Sequence, residues 1–476
     1  MIEMLRSKRH YAVIVLILVA LVLFFGGCGK KKEVSEERVY SGEVYPENGL
    51  PKDKKVTISA IYPVAGCGKE YFEYAVETFQ EKFKNVKINV RYIEEGVTTY
   101  NQIIQAMIQS GNDDDMYDWI YISYDVSLMQ QEKLESQDEL WERTLYDRPD
   151  TKVKDVIMSD KSSVFAYFGH MWAAPTNYKI YGLYYNKKWF KDLGLSEQPK
   201  DWYEFLSLCK KIKAKGVYPM VMAGKYASSY FDYGWGTIPY AVDGSDKYSE
   251  DEYNYRPDLY ISKPHVTMLK RLEEFVAKGY LHPGTASFDH TQSQMEFVQG
   301  KAAMITNGTW VANEMKNVVP DDFEWGFMVF PGNDPNKKQV ILTQTGMSGF
   351  IWKNRPELNK KWVKEFNLWL LNLDIQQKYA QSGGVPTRKD FKLGEEQTKT
   401  ISPSVVEALK AIRRRGIALV DNKPRVEVIT NSEFAKFGKV KGDGYIALIT
   451  GGKSAEQVAK DINKQYMKGL EADKRK

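Results

Sequence analysis

Five histidines and three cysteines are all that a 476-residue chain offers for metal or thiol chemistry, and no CxxC or HExxH spacing joins them. Zinc needs three or four such ligands at ordered spacing, so zinc chemistry is excluded. Gly451-Gly452-Lys453-Ser454 ends like a phosphate-binding loop, but that pattern requires glycine at position 447, where Ala447 stands. It reads as a turn and a helix cap. Gly346-Met347-Ser348-Gly349 lacks the spacing of a nucleophile elbow. Asp113-Asp114-Asp115 reads as a solvated loop, since a calcium site needs more ligands at ordered spacing. Among 62 acidic residues no carboxylate pair stands out as catalytic. No cofactor is expected. What remains is aromatic: 31 Tyr, 21 Phe and 11 Trp. Such rings fill a core, or lie against the C–H faces of a stacking ligand.

The elements that must position these rings begin after an unusual N-terminus. Arg6, Lys8 and Arg9 precede fifteen uncharged residues, 11–25, and then Gly26, Gly27 and Cys28. At 1.5 Å per residue this run is too short for a hydrocarbon core of about 30 Å, so it reads as a secretory signal. Phe25-Gly26-Gly27-Cys28 resembles the lipobox of bacterial lipoproteins. That resemblance implies cleavage before Cys28, acylation of its thiol and a membrane anchor. Removing residues 1–27 takes away three positive charges and one negative, so the net charge falls from +5 to +3. A balance so near neutral excludes a nucleic-acid partner. Residues 28–55 are rich in Lys, Glu, Ser, Gly and Pro and read as a flexible tether spanning roughly 25–30 Å.

Residues 56–62 read as a strand. A helix over 70–84 gathers Phe72, Val76, Phe79 and Phe83 on one face, and Val86, Ile88, Val90 and Tyr92 alternate as a second strand. A helix over about 98–110 and a short buried strand at 119–122 follow. This order predicts a parallel sheet covered on both faces, with ligands beyond the strand ends at 63–69 and 123–126. A second unit opens with a strand at 181–185. Asp201 and Glu204 then start a helix that buries Trp202, Phe205, Leu206, Cys209 and Ile212. Cys209 is therefore expected to be an inert core thiol, not bonded to Cys67. Further helices are expected at 264–278 and from Ser454, which pairs with Gln457 as a capping box.

Four segments in order resemble the family 1 extracellular solute-binding proteins of ABC importers. They are Gly169-His170-Met171-Trp172-Ala173-Ala174-Pro175-Thr176-Asn177 with Gly182-Leu183-Tyr184-Tyr185-Asn186-Lys187; Phe297, Gly300-Lys301-Ala302-Ala303-Met304 and Asn307-Gly308-Thr309-Trp310; Phe330-Pro331-Gly332; and Gln377, Tyr379 and Ser382-Gly383-Gly384-Val385-Pro386-Thr387-Arg388. The resemblance implies an α/β chain with a type II periplasmic-binding-protein fold, two α/β lobes joined by hinge strands. It puts 56–174 plus 332–386 in lobe 1 and 175–331 plus 387–476 in lobe 2, with crossings near Ala174, Pro331 and Pro386. Ligand is then held between the lobes, and the closed form is what the importer recognises.

On that reading the ligand residues come from both lobes. Lys69 and Asp125 follow strands of the first lobe, and Asn177 and Tyr178 follow the first crossing. Trp310 stands where the family places a stacking aromatic. Gly346 to Ser348 lie in a turn whose amides reach ligand, and Trp235 is a further candidate. The expected protein is a monomeric, lipid-anchored receptor on the extracytoplasmic face, not an enzyme, that hands a sugar, an oligosaccharide, to permease subunits in the membrane. A polyol, glycerol phosphate or peptide receptor of the same fold is the first alternative. A surface-anchored glycosidase, which would need two opposed carboxylates, is the second. A sensory or adhesion lipoprotein that kept the fold and lost transport is a third.

Overall fold

The computed structural model describes residues 42–112, 115–121, 126–414, 417–420 and 428–473. The signal segment, Cys28 and Asp125 lie outside these residues. The chain divides into two compact units, residues 1–51 and 52–476. Of the first, residues 42–51 fold back on themselves: Val44 bridges Pro51, and the Tyr45 amide donates to the Leu50 carbonyl at 2.9 Å. Gly49 takes a φ of 70° in this turn, and Leu50 is buried. Residues 42–51, inside the expected tether, are therefore folded, because Leu50 and Pro51 give this stretch apolar side chains to bury.

Within residues 52–476, β1 (Val56–Pro63) pairs in parallel with β2 (Val86–Ile93) on one side and β3 (Trp119–Ile120) on the other. The helix Glu70–Lys82 buries Phe72, Val76 and Phe79 against this sheet, as their spacing predicts. The helix Val97–Ser110 buries Tyr100 and Ile104. This sheet is the base of the first lobe.

The longest strand is β4 (Ala174–Asn186), thirteen residues where the sequence suggested five. The sheet it centres also contains β5 (Tyr218–Val221), β6 (Ala302–Gly308), β7 (Trp325–Met328), β8 (Gln339–Ser348), β9 (Val385–Pro386) and β10 (Ile417–Val420). The second half of β4 pairs with β6 and β7, and its first half with β8 and β9, all antiparallel. Leu183 and Tyr185 pack into one core and Tyr184 into another, so the second lobe buries both faces of its sheet.

The crossings follow from this pairing. The chain passes between the sheets on β4, beginning at Ala174, and on β8, after which Phe350 bridges Ile120 at the end of β3. Val385 and Pro386 lie against Tyr178 and Asn177. The crossing expected near Pro331 is displaced. Phe330 is buried against Trp235 and Phe205, the Gly332 carbonyl accepts from Arg271 Nη1 at 2.6 Å, and Asn333 Nδ2 donates to the Lys200 carbonyl. These contacts keep residues 330–338 on the second lobe, and the chain returns only at residues 343–350.

Asp201 caps the helix Trp202–Lys213 by accepting from the amides of Tyr203 and Glu204, and Glu204 reaches back to the Lys200 amide. Cys209 in that helix is fully buried, and burial pushes its thiol well up. Cys67 is likewise a free thiol, raised to about 12 by burial. The helix Ala455–Asp473 opens on the reciprocal Ser454–Gln457 box.

Candidate ligand-binding cleft

A cavity of about 600 Å³ opens between the two lobes. Its first-lobe wall includes Met129, Tyr167, His170 and Trp172. His170 is aimed by a tight turn in which Phe168 and Gly169 take φ values of 58° and 74°. Its Nδ1 meets Asp138 Oδ2 at 2.7 Å, while Asp138 Oδ1 accepts from the Met171 amide, also at 2.7 Å. This pairing holds the imidazole in place at the cavity wall. The Trp172 ring stands edge-on to the His170 ring at 5.4 Å.

The second-lobe wall is built around two tyrosines. Tyr181 of β4 and Tyr233 stack with centroids 4.2 Å apart and planes 6° from parallel, and both line the cavity. The Tyr181 hydroxyl donates to Gln344 Oε1 at 2.9 Å, which fixes that amide at the cleft floor. Behind the pair, Tyr230 hydrogen-bonds His290 Nδ1, His290 Nε2 lies 2.6 Å from Glu314 Oε2, and Gln294 donates to the same carboxylate. Burial raises the phenols of Tyr230 and Tyr233, with the charges of Glu314 and, for Tyr233, Asp232 adding to it, so both remain hydroxyl donors. The ammonium group among the described lining residues, that of Lys441, is held by Asp232 at 2.6 Å. Among the described residues no cluster of three or more His, Cys, Asp or Glu could hold a metal ion. No helix among them is long and apolar enough to cross a membrane.

Rings and polar groups thus stand on both walls of the cavity, over residues 342–345 of β8. The sequence profile of the bacterial extracellular solute-binding proteins matches residues 68–377, more than half of the chain. The chain belongs to that family. Among its relatives, the diacetylchitobiose binding protein NgcE of Streptomyces coelicolor is 25% identical over 289 residues, 60% of this chain and 59% of that one. The sn-glycerol-3-phosphate-binding periplasmic protein UgpB of Brucella abortus is 25% identical over 300 residues, 59% of this chain and 65% of that one. The chain thus spans less than two thirds of the length of these curated relatives. A mannobiose-bound binding protein of an ABC transporter from Bifidobacterium animalis subsp. lactis superposes with a TM-score of 0.65 at 20% identity, over 91% of this chain and all of that one. At that identity the likeness establishes the fold.

The residues that the sequence singled out fall unevenly about the cleft of this solute-binding protein. Asn177 is buried in β4, 5% exposed, and is not among the residues that line the cavity; its Oδ1 has no hydrogen-bond partner among the described residues. Gly346 is its register partner, and a Cβ there would collide with the Asn177 amide. Gly346 to Ser348 thus belong to β8 rather than to a turn, and the Ser348 hydroxyl meets that of Thr176. Tyr178 points to the opposite face, where its hydroxyl donates to Thr343 Oγ1 at 2.8 Å and its ring packs in a core. Lys69 is drawn to the outer edge of the first sheet by Glu94 at 3.1 Å and by the face of Tyr92, instead of turning inward. Trp235 is 1% exposed, packed against Phe275 and Phe330, and presents no face to the cleft. Trp310 is half-buried at the head of the helix Val311–Met315, edge-on to Tyr181 at 6.0 Å and to Tyr233 at 6.2 Å. Its ring covers Gly308, where a Cβ would strike the indole. It buttresses the stacked pair.

Sequence reasoning missed Tyr181, Tyr233 and His170. A signal existed for two of them. Tyr181 shares the strand face of Leu183 and Tyr185 but stands where their core gives way to the cleft. Phe231 and Trp235 are both buried in the turns that span 231–236, while Tyr233 between them lines the cavity.

Proposed function

We propose that this protein captures an uncharged sugar, an oligosaccharide, between its lobes and delivers it to an ABC-type permease in the membrane, held there by a lipid on Cys28. The observation that carries the reading is the parallel Tyr181–Tyr233 stack facing a cavity whose lining ammonium, Lys441, is already paired. Sugars present apolar C–H faces to rings and an equatorial rim of hydroxyls to amides, imidazoles and phenols. Gln344 and His170, both in the cavity lining, supply groups of that kind. An anionic solute would need a cation that the ligand could claim, and Lys441 is engaged by Asp232 at 2.6 Å. Trp310, from the residues first singled out, serves as the buttress of the stack.

Thermal-shift measurements against neutral oligosaccharides, with glycerol phosphate as the charged comparison, test the reading. A sugar that binds only the folded state raises the midpoint by mass action and is recovered intact. Stabilisation by glycerol phosphate alone, or cleavage of the sugar, rejects it. Mass spectrometry of the mature N-terminus tests the anchor: the chain is expected to begin at an acylated Cys28, carrying two or more chains because one binds a membrane only marginally.

A further inference from the structure

One imidazole outside the cavity lining ties together the two elements that meet the tyrosine stack. His290 opens the helix His290–Val298. Asp289 ahead of it accepts from the Gln292 amide while the Gln292 side chain accepts from the Asp289 amide, a reciprocal cap that fixes where the helix begins. The His290 ring then has a bond on each side. Its Nδ1 meets the Tyr230 hydroxyl, and its Nε2 lies 2.6 Å from Glu314 Oε2. Gln294, one turn further on and fully buried, donates to the same carboxylate oxygen at 2.7 Å. The His290 ring itself is not among the residues that line the cavity.

Each partner reaches the stack by a different route. Tyr230 packs against Tyr233 with ring centroids 4.9 Å apart. The Glu314 amide donates to the Trp310 carbonyl at 3.0 Å, so Glu314 belongs to the turn whose indole stands edge-on to Tyr181 and Tyr233. Asn313 of the same turn donates to the Gly66 carbonyl of the first lobe at 2.8 Å. Apolar burial has little directionality, so on its own it lets packed rings slide and tilt. A hydrogen bond accepts only a narrow range of length and angle. A flat ring bonded at both nitrogens therefore sets the separation of Tyr230 from Glu314, and with it the separation of the two elements that touch the stacked pair.

We infer that His290 is a positioning residue for ligand capture. It touches no ligand; by holding Tyr230 and Glu314 at a fixed separation it keeps the Tyr181–Tyr233 face in the orientation that a sugar ring meets. The inference rests on the sugar-capture reading above. It extends the machinery of binding one layer past the cavity wall.

Calorimetry on the full chain with maltose, mannobiose, diacetylchitobiose and raffinose first identifies the sugar that wild type selects. His290→Phe keeps a flat ring and removes both nitrogens, and it should bind that sugar at least about fivefold more weakly. His290→Asn keeps a polar group near the place of Nδ1, and His290→Gln keeps one near that of Nε2, so each should recover part of the loss. The deciding readout is a double-mutant cycle. Added to Tyr233→Ala, His290→Phe should lower the melting point by the same amount as it does alone, yet weaken binding by less than about twofold further, because the ring it positions is gone. Unchanged affinity in His290→Phe, or an equal further loss of affinity in the Tyr233→Ala background, overturns the positioning role while leaving sugar capture standing. Wild type that binds none of the four sugars overturns both. Should His290→Phe fail to fold, Tyr230→Phe, which removes one hydroxyl, decides by the same two outcomes, alone and in the Tyr233→Ala background.

Discussion

In the first lobe Tyr62, Phe72, Trp119 and Phe366 meet at ring distances such as 4.6 Å and 4.7 Å, and each is at most 1% exposed. In the second lobe Tyr181, Tyr233 and Trp310 meet at 4.2–6.2 Å, but two of the three line a cavity. The ring chemistry is the same and the backing differs. Phe72 and Trp119 are closed in on all sides, with the helix Glu357–Trp369 supplying Phe366 and Asn367; the Trp119 indole nitrogen donates to Asn367 Oδ1 at 2.8 Å. Tyr181 and Tyr233 meet the edge of Trp310, Tyr233 also packs against Tyr230 of the Tyr230–His290–Glu314 chain, and both line the cavity. A rich aromatic composition therefore fills two roles, and what separates them is whether the polar tips are tied to core partners or to a wall that ends at water.

This comparison is broken most severely if Trp119 and Tyr233 respond alike to truncation. Trp119→Ala is expected to cost about 3–5 kcal/mol of stability, a loss readable in urea unfolding, because a fully buried indole leaves a cavity behind. Tyr233→Ala should leave the unliganded melting point near that of wild type and weaken sugar binding by about 2 kcal/mol, roughly thirty-fold, in calorimetry. A collapsed melting point for Tyr233→Ala would make it a core residue and erase the distinction.

The titration of His265 sharpens it further. A ring held neutral down to about pH 3 is protonated more readily in the unfolded chain, whose histidines titrate near 6.5. The stability this ring contributes is therefore present above pH 6.5 and is lost progressively as pH falls toward 3. Between pH 6 and 5, wild type should lose about 1.2 kcal/mol more than His265→Phe, as urea unfolding at the two pH values would measure. Equal losses would mean that the ring is reached by water. The smallest effect concerns the cleft mouth, where Asn313 Nδ2 of the second lobe donates to the Gly66 carbonyl of the first at 2.8 Å. Asn313→Ala should weaken sugar binding by about 1 kcal/mol, roughly five-fold, through faster release in stopped-flow measurements, since one such bond is worth about that much.

Much of the scaffold was legible in the sequence because periodicity reports which face is buried. Phe72, Val76 and Phe79 fall on the inner face of their helix, and the alternation of β2 matches its register with β1. The length of β4 was not legible, because both of its faces are apolar and its ends are set by partners more than 120 residues away. The crossing near Pro331 misled for the same reason: proline suggests a break, but Phe330 had a core to enter. At the cleft, residue type pointed to aromatics while the choice among them failed. Trp235 is the larger ring and Tyr233 the one that lines the cavity, a difference set by the contacts of Gly234 with Phe330 and Thr306, where a Cβ would not fit. Lys69 could not be placed without Glu94, which lies 25 residues on. His265, neutral and buried, carries no pattern at all.

Small-angle X-ray scattering of the protein with and without a saturating neutral oligosaccharide tests the central claim, that two lobes joined by β4, β8 and β9 close around a sugar, most directly. The account predicts a smaller radius of gyration in the presence of the sugar, and a smaller change in Asn313→Ala at subsaturating concentrations. A radius that stays the same at saturation, with binding confirmed by calorimetry on the same sample, would contradict it.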